Sequence, residues 1–201
     1  GRSWRQGDVR RSDSKLTQAR NAASTTGIAN DSDISMRDTA LQMWGDRHGD
    51  RKAIVFGDLM LSPPLRNKLT CIYYKTDQAA VLRGAIGGVR RDAEAIYLIG
   101  RWPVGIGGRS SVFVSRQRLT SATGVVAANG GHPHTKPNEV MEELVLLTDG
   151  SVADPFAGSG STLVAARNLN RRAVGVEVEE RYCELIAKRL SQDTLFGGVG
   201  A

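Results

Sequence analysis

Asp154-Pro155-Phe156-Ala157-Gly158-Ser159-Gly160-Ser161-Thr162 is the stretch on which the reading of the fold turns. Before it, Ser151-Val152-Ala153 reads as a short apolar strand. After it, the run from Thr162 to Leu169 has a helical pattern. Strand, glycine loop and helix in that order make the phosphate- or nucleoside-binding turn of an open α/β sheet. Glycines allow the backbone to bend tightly and approach a ligand. The helix start then offers unpaired N–H groups and the positive end of its dipole.

Two versions of this turn do not match. A dinucleotide fingerprint needs a third glycine three residues after Gly160, where Leu163 stands. A P-loop needs Gly-Lys-Ser/Thr, and the stretch has no lysine. The next segment strengthens the nucleoside reading. Arg172 to Val178 reads as a second buried strand whose end carries the carboxylate of Glu177. In doubly wound folds an acid about 20 residues beyond the loop accepts hydrogen bonds from ribose hydroxyls. Glu179 to Leu190 then reads as a helix with Tyr182, Leu185, Ile186 and Leu190 on one face.

The loop resembles the Asp-Pro-Phe-x-Gly-Ser-Gly segment of DNA amino-methyltransferases. Gly175-Val176-Glu177, followed by Tyr182 and Ala187-Lys188-Arg189, resembles a second segment of that family. His132-Pro133-His134-Thr135-Lys136-Pro137 resembles its His-Pro-x-x-Lys-Pro segment. In that order the three are similar to the permuted, beta-type group of adenine-N6 and cytosine-N4 methyltransferases.

The resemblance implies an α/β, Rossmann-like fold with a mostly parallel sheet, helices on both faces and permuted motif order. It implies S-adenosylmethionine as cofactor and DNA as partner. It carries the cofactor-binding role onto His132, Lys136, Pro137, Asp154, Pro155, Phe156, Ala157, Gly158, Ser159, Gly160, Ser161, Thr162 and Glu177. Segment 132–137 would pack over the methionine end of the cofactor, with Lys136 orienting the loop or the carboxylate. Rival readings are a non-catalytic nucleic-acid-binding module with a vestigial pocket, and a methyltransferase acting on RNA or protein.

Charge divides the chain. Residues 51–131 hold 12 of the 27 basic side chains and 4 of the 21 acidic ones, whereas residues 132–201 hold 7 and 10. The net charge of +6 therefore comes from the middle third. A phosphate backbone suits such a surface. From Arg101 to Gly131 no helix is convincing, although Ser111-Val112-Phe113-Val114 resembles a strand. Arg109, Arg116 and Arg118 stand here among Ser, Thr and Gly, and are the candidate contacts to nucleic acid.

Upstream, Ser35 to Asp38 resembles a capping box opening a helix that shows Met36, Ala40, Leu41 and Trp44 on one face and ends at Gly45. Residues 52–56, 69–74 and 93–100 read as buried strands, and Gly84 to Gly88 is a glycine-rich loop between the last two. After Pro137 a helix should turn Val140, Met141, Leu144 and Val145 inward. The resemblance implies one methyltransferase domain: residues 35–100 would be a catalytic half, 101–131 a target-recognition insertion, 132–190 a cofactor half and 191–201 a tail, while the polar residues 1–32 read as a mobile loop.

The family's catalytic signature is Asp/Asn/Ser-Pro-Pro-aromatic, which holds a flipped base. Ser62-Pro63-Pro64-Leu65 comes near it, but Leu65 offers no stacking ring. A parallel strand must also be followed by a crossover of about a dozen residues, usually a helix, for which there is no room before Leu69. The signature is therefore expected upstream of Gly1, with the chain a fragment. Cys71 and Cys183 lie in apolar patterns and read as buried free thiols, which fits a reducing, cytoplasmic location. No membrane segment is visible. His132 and His134 lack partners at metal-ligand spacing, so no metal is expected.

Overall fold

A computed structural model describes residues 34–75, 92–115, 132 and 134–192. The chain divides between Trp44 and Gly45 into two units. Helix α1 (Ser35–His48) spans that division, and none of its residues is buried. It continues past the expected stop at Gly45. A glycine inside a helix costs only about 1 kcal/mol, which a helix can absorb. Termination falls instead to Gly49, which takes φ +63° and donates its N–H to the Gly45 carbonyl at 2.8 Å.

In the second unit, β1 (Ala53–Gly57), β2 (Asn67–Lys75), β3 (Ala93–Ile99) and β4 (Val112–Ser115) form a sheet in the order β1-β3-β2-β4. β3 runs antiparallel to both β1 and β2, so those two point the same way with β3 between them. β4 joins β2 in parallel. β5 (Val152–Asp154) and β6 (Ala173–Gly175) form a separate parallel pair. The four-stranded sheet is thus mixed, and the β5–β6 pair is parallel. β3 takes the central position: apart from Glu94 it is apolar, and Ala95 to Ile99 are all buried between its two neighbours.

The connection from β1 to β2 is residues 58–66, with no helix among them. This crossover is shorter than the dozen residues expected of a parallel connection. Nine residues in extended form reach about 30 Å, enough to return past the five-residue β1 without a helix, and Arg66 makes the final turn at φ +68°.

Helix α2 (Asn138–Val145) buries Val140, Met141, Leu144 and Val145 as its spacing predicts. These side chains pack with Cys71, Tyr73, Ile96, Leu98 and Phe113 of the sheet, and with Ala165 of helix α3 (Ser161–Asn168). One core therefore joins the four-stranded sheet to the helices beside β5. Helix α4 (Glu180–Ser191) buries Tyr182 and Arg189.

Burial falls short of expectation in several places: β1 is half-buried throughout, and β2 leaves Leu69, Thr70 and Tyr74 exposed. β6 is only three residues long, Ala173 and Val174 are exposed, and Val178 beyond it is 96% exposed. An apolar strand is buried only when neighbours cover it, and among the described residues β5 is the one strand paired to β6. Cys183 is exposed, although Cys71 is buried, and both thiols are free. In a helix adjacent positions point about 100° apart, so burying Tyr182 turns Cys183 outward.

Candidate functional site

The site grows from the carboxyl ends of β5 and β6, which lie side by side with Asp154 opposite Gly175. The chain continues as a zip beyond the strands. Val176 N–H donates to the Asp154 carbonyl and Ala157 N–H donates to the Val176 carbonyl, each at 2.9 Å. The Asp154 carboxylate accepts the Phe156 N–H at 3.0 Å, an Asx turn that starts the bend. Pro155 and Phe156 are exposed at its crest.

Gly158 and Gly160 both adopt positive φ, +53° and +81°. Side chains could not replace them. A Cβ on Gly158 would lie 2.9 Å from His132 Nε2, and one on Gly160 would lie 2.7 Å from Ile186 Cγ1. The glycines thus admit His132 and α4 on one side of the loop. Gly160 N–H closes the turn on the Ala157 carbonyl at 2.7 Å, and α3 begins at the next residue.

Glu177 faces this bend. Its Oε2 accepts the Gly158 N–H at 2.7 Å and its Oε1 accepts the Glu179 N–H at 2.9 Å. A carboxylate has about four acceptor sites, so each oxygen keeps capacity for a hydroxyl donor. A nucleoside's ribose fits that capacity. At the head of α3, Ser161 Oγ is buried without a hydrogen-bond partner among the described residues. Such an orphan is what a polar ligand at a helix N-terminus would satisfy. Thr162 follows, half-buried in the first turn.

The loop is held from behind. Ser159 is buried, and Thr135 and Ser159 share a hydroxyl–hydroxyl hydrogen bond at 3.1 Å. Arg189, only 9% exposed, donates to the Ser159 carbonyl and also to Asn138 Oδ1 at 3.0 Å. Burial and the nearby Arg167 push the Arg189 guanidinium below its usual pKa.

Segment 132–137 lies against the loop. His132 packs edge-on to Tyr182 with centroids 4.5 Å apart, and its carbonyl accepts the Thr135 hydroxyl at 2.9 Å. Burial first, then His134 and Lys136, push the His132 imidazole below its usual pKa against an opposing pull from Glu177 and Glu179. Pro137 is buried and precedes α2. Lys136 is spoken for: its Nζ pairs with Glu94 Oε2 at 3.0 Å and donates to the His134 carbonyl at 3.3 Å. Sequence reasoning missed Arg189, Thr135 and Glu94. Arg189 stood within a quoted family segment, but no local pattern linked it to Ser159.

Of the candidate nucleic-acid contacts, Arg109 is exposed on the stretch before β4. Arg116 and Arg118 lie outside the described residues, as do segment 1–32, the Gly84 to Gly88 loop and residues 193–201 of the tail. Ser62 and Pro63 are exposed, Pro64 is buried and Leu65 is 88% exposed, on a loop between strands rather than before a helix. Among the described residues no three His, Cys, Asp or Glu side chains cluster to hold a metal. No described helix is long and apolar enough to cross a membrane.

Comparison with known proteins bears on the family and the fold. The sequence profile of the N6/N4 DNA methylases matches residues 40–189. The Type II methyltransferase M2.LlaDCHI of Lactococcus lactis subsp. cremoris is 35% identical over 71 residues, 34% of this chain and 26% of that protein. M2.DpnII of Streptococcus pneumoniae is 39% identical over 67 residues, 32% of this chain and 25% of that protein. The matched region thus spans about a quarter of these relatives. Among solved structures, M1.HpyAVI aligns with a TM-score of 0.56 at 19% identity, covering 78% of this chain and 83% of that one. Its complex with SAM aligns at 0.54 and 20% identity, covering 76% and 83%. That likeness shows the shared α/β, Rossmann-like methyltransferase fold. With its profile match running through both the β1–β4 sheet and the glycine loop, the chain belongs to the N6/N4 DNA methylase family.

Proposed function

We propose that this chain carries the donor pocket and part of the DNA surface of an enzyme that methylates the exocyclic amine of adenine (N6) or cytosine (N4), with S-adenosylmethionine as cofactor. The observation that carries the reading is the 2.7 Å hydrogen bond from Gly158 N–H to Glu177. It closes the loop over the ends of β5 and β6 and leaves lone pairs for ribose hydroxyls. Two sequence relatives are Type II methyltransferases, and one neighbour of the same fold was solved with SAM.

When bound, the cofactor supplies an electrophilic methyl group on sulfur. The chain's own residues do the positioning. Glu177 would hold the ribose hydroxyls, Ser161 at the start of α3 would meet a polar group, and segment 132–137 would line the loop beside it. A ring-conjugated amine is a weak nucleophile, so alignment supplies much of the rate. Base flipping costs a few kcal/mol, roughly, which contacts from the basic middle region, Arg109, Arg116 and Arg118 included, would offset. The exposed, ringless Ser62–Leu65 turn does not suit base stacking. We place the working enzyme with DNA in the cytoplasm.

Calorimetry with S-adenosylmethionine tests the pocket. The chain should release binding heat, and Gly158→Asp should weaken binding by about 100-fold or more, because the new side chain strikes His132 and faces Glu177. Equal affinity in the variant would refute the assignment. Tritiated methyl transfer by the parent protein to DNA, RNA or protein separates the substrate classes. Methylation of DNA by residues 1–201 alone would place the catalytic group inside them.

A further inference from the structure

A second buried polar cluster lies where β2 and β3 pair, with Tyr73 opposite Glu94. Glu94 receives two ammonium groups, Lys75 from β2 and Lys136 from segment 132–137. All three side chains are less than one-fifth exposed. Lys136 Nζ also rests 4.9 Å over the Phe56 ring of β1, and Phe56 meets Tyr73 edge-on at 6.2 Å. The floor of this cluster is therefore the rigid sheet. Its upper end is the segment that touches the glycine loop, through Thr135 on Ser159 and His132 beside Gly158.

We propose that Glu94 is a positioning residue for the donor loop. Through Lys136 it fixes segment 132–137 to the sheet, and that segment presets the bend at 157–160. The inference rests on the donor-binding reading of the loop and adds a residue on a different strand to it. The physical reason is charge. One carboxylate serves two half-buried cations, and removing one partner of a buried pair leaves the others uncompensated. Without Glu94, Lys136 gains by turning toward water, and Thr135 and His132 are its near neighbours in sequence. Lys75 remains on the sheet, so the loss falls on the segment rather than on β2.

The test uses Glu94→Gln, Lys136→Met and the double variant in the 201-residue chain. Hydrogen exchange is read at the Ala157, Gly158 and Gly160 amides, against Ala165 and Ala166 in α3 as internal controls. In Glu94→Gln the three loop amides should exchange about tenfold faster while the α3 pair does not change, as expected when a charged hydrogen bond is lost locally. Lys136→Met should do the same, the double variant should add little, and Lys136→Arg should restore protection. Calorimetry should show S-adenosylmethionine affinity falling by about tenfold in the same variants. Unchanged loop exchange in Glu94→Gln overturns the proposal. So does a uniform rise that includes Ala165 and Ala166, which would make Glu94 a general stabiliser. If the unaltered chain gives no heat with S-adenosylmethionine, the donor reading fails, and the exchange data still decide whether Glu94 positions the loop.

Discussion

The four-stranded sheet and the β5–β6 pair are built on different physics. The sheet is held by burial: Ile96 and Ala95 are fully enclosed, and Tyr73 and Val140 are 1% exposed. The β5–β6 pair is short and leaves Ala173 and Val174 open on β6. What shapes its loop is a set of polar contacts: Glu177 on Gly158, Arg189 and Thr135 on Ser159, and Val176 zipped to Asp154 and Ala157. Apolar burial is roughly proportional to area and indifferent to direction, whereas hydrogen bonds fix orientation. The lesson is a separation of tasks. One region supplies stability and the other supplies geometry, and the Glu94–Lys136 pair ties the sheet to the segment that lies against the loop.

Three measurements would sharpen or break that contrast. The largest effect belongs to the sheet. Ile96→Ala should lower unfolding free energy in urea by about 2–5 kcal/mol, since Ile96 is fully buried among Tyr73, Phe113 and Leu144. Its effect on the loop's donor affinity should be minor wherever the chain remains folded. A loss under about 1 kcal/mol would mean that the sheet is not the main store of stability.

Next is acid. Burial alone raises the Glu94 carboxyl, but Lys136 and Lys75 outweigh it and hold its pKa at about 2, against 4.5 unfolded. A depressed carboxylate adds stability above its unfolded pKa, and that stability fades as pH falls through the folded value. The contribution, of order 3 kcal/mol at most, should therefore disappear between about pH 4.5 and 2. Urea titrations across that window should show a shallower pH slope in Glu94→Gln than in the unaltered chain. Parallel slopes would remove the link between the regions. The smallest effect lies beyond β6. Val178→Ser should change stability by less than about 0.5 kcal/mol, because Val178 is almost wholly exposed. A large loss would show that the stretch beyond β6 is covered after all.

Legibility in the sequence followed the range of the interaction. The loop, its two positive-φ glycines and Glu177 were readable because their roles repeat at short, fixed spacings. The buried face of α2 was readable residue by residue, since Val140, Met141, Leu144 and Val145 follow the helical period. The apolar runs of β3 and of 172–178 look alike as sequence, yet one is central and the other exposed. Periodicity records which residues prefer burial, not whether a neighbour exists to bury them. The end of α1 was misread because Gly45 is tolerated inside a helix and Gly49 takes the left-handed turn.

Local chemistry along the chain, then, determined the glycine bend and the acid that meets it. Tertiary packing alone decided that β3 lies antiparallel between β1 and β2. It also decided that Arg189 reaches the Ser159 carbonyl, and that Lys136 answers to Glu94 42 residues away. The reason is that backbone conformation responds to adjacent residues, while a buried charge takes whichever opposite charge the fold brings within reach.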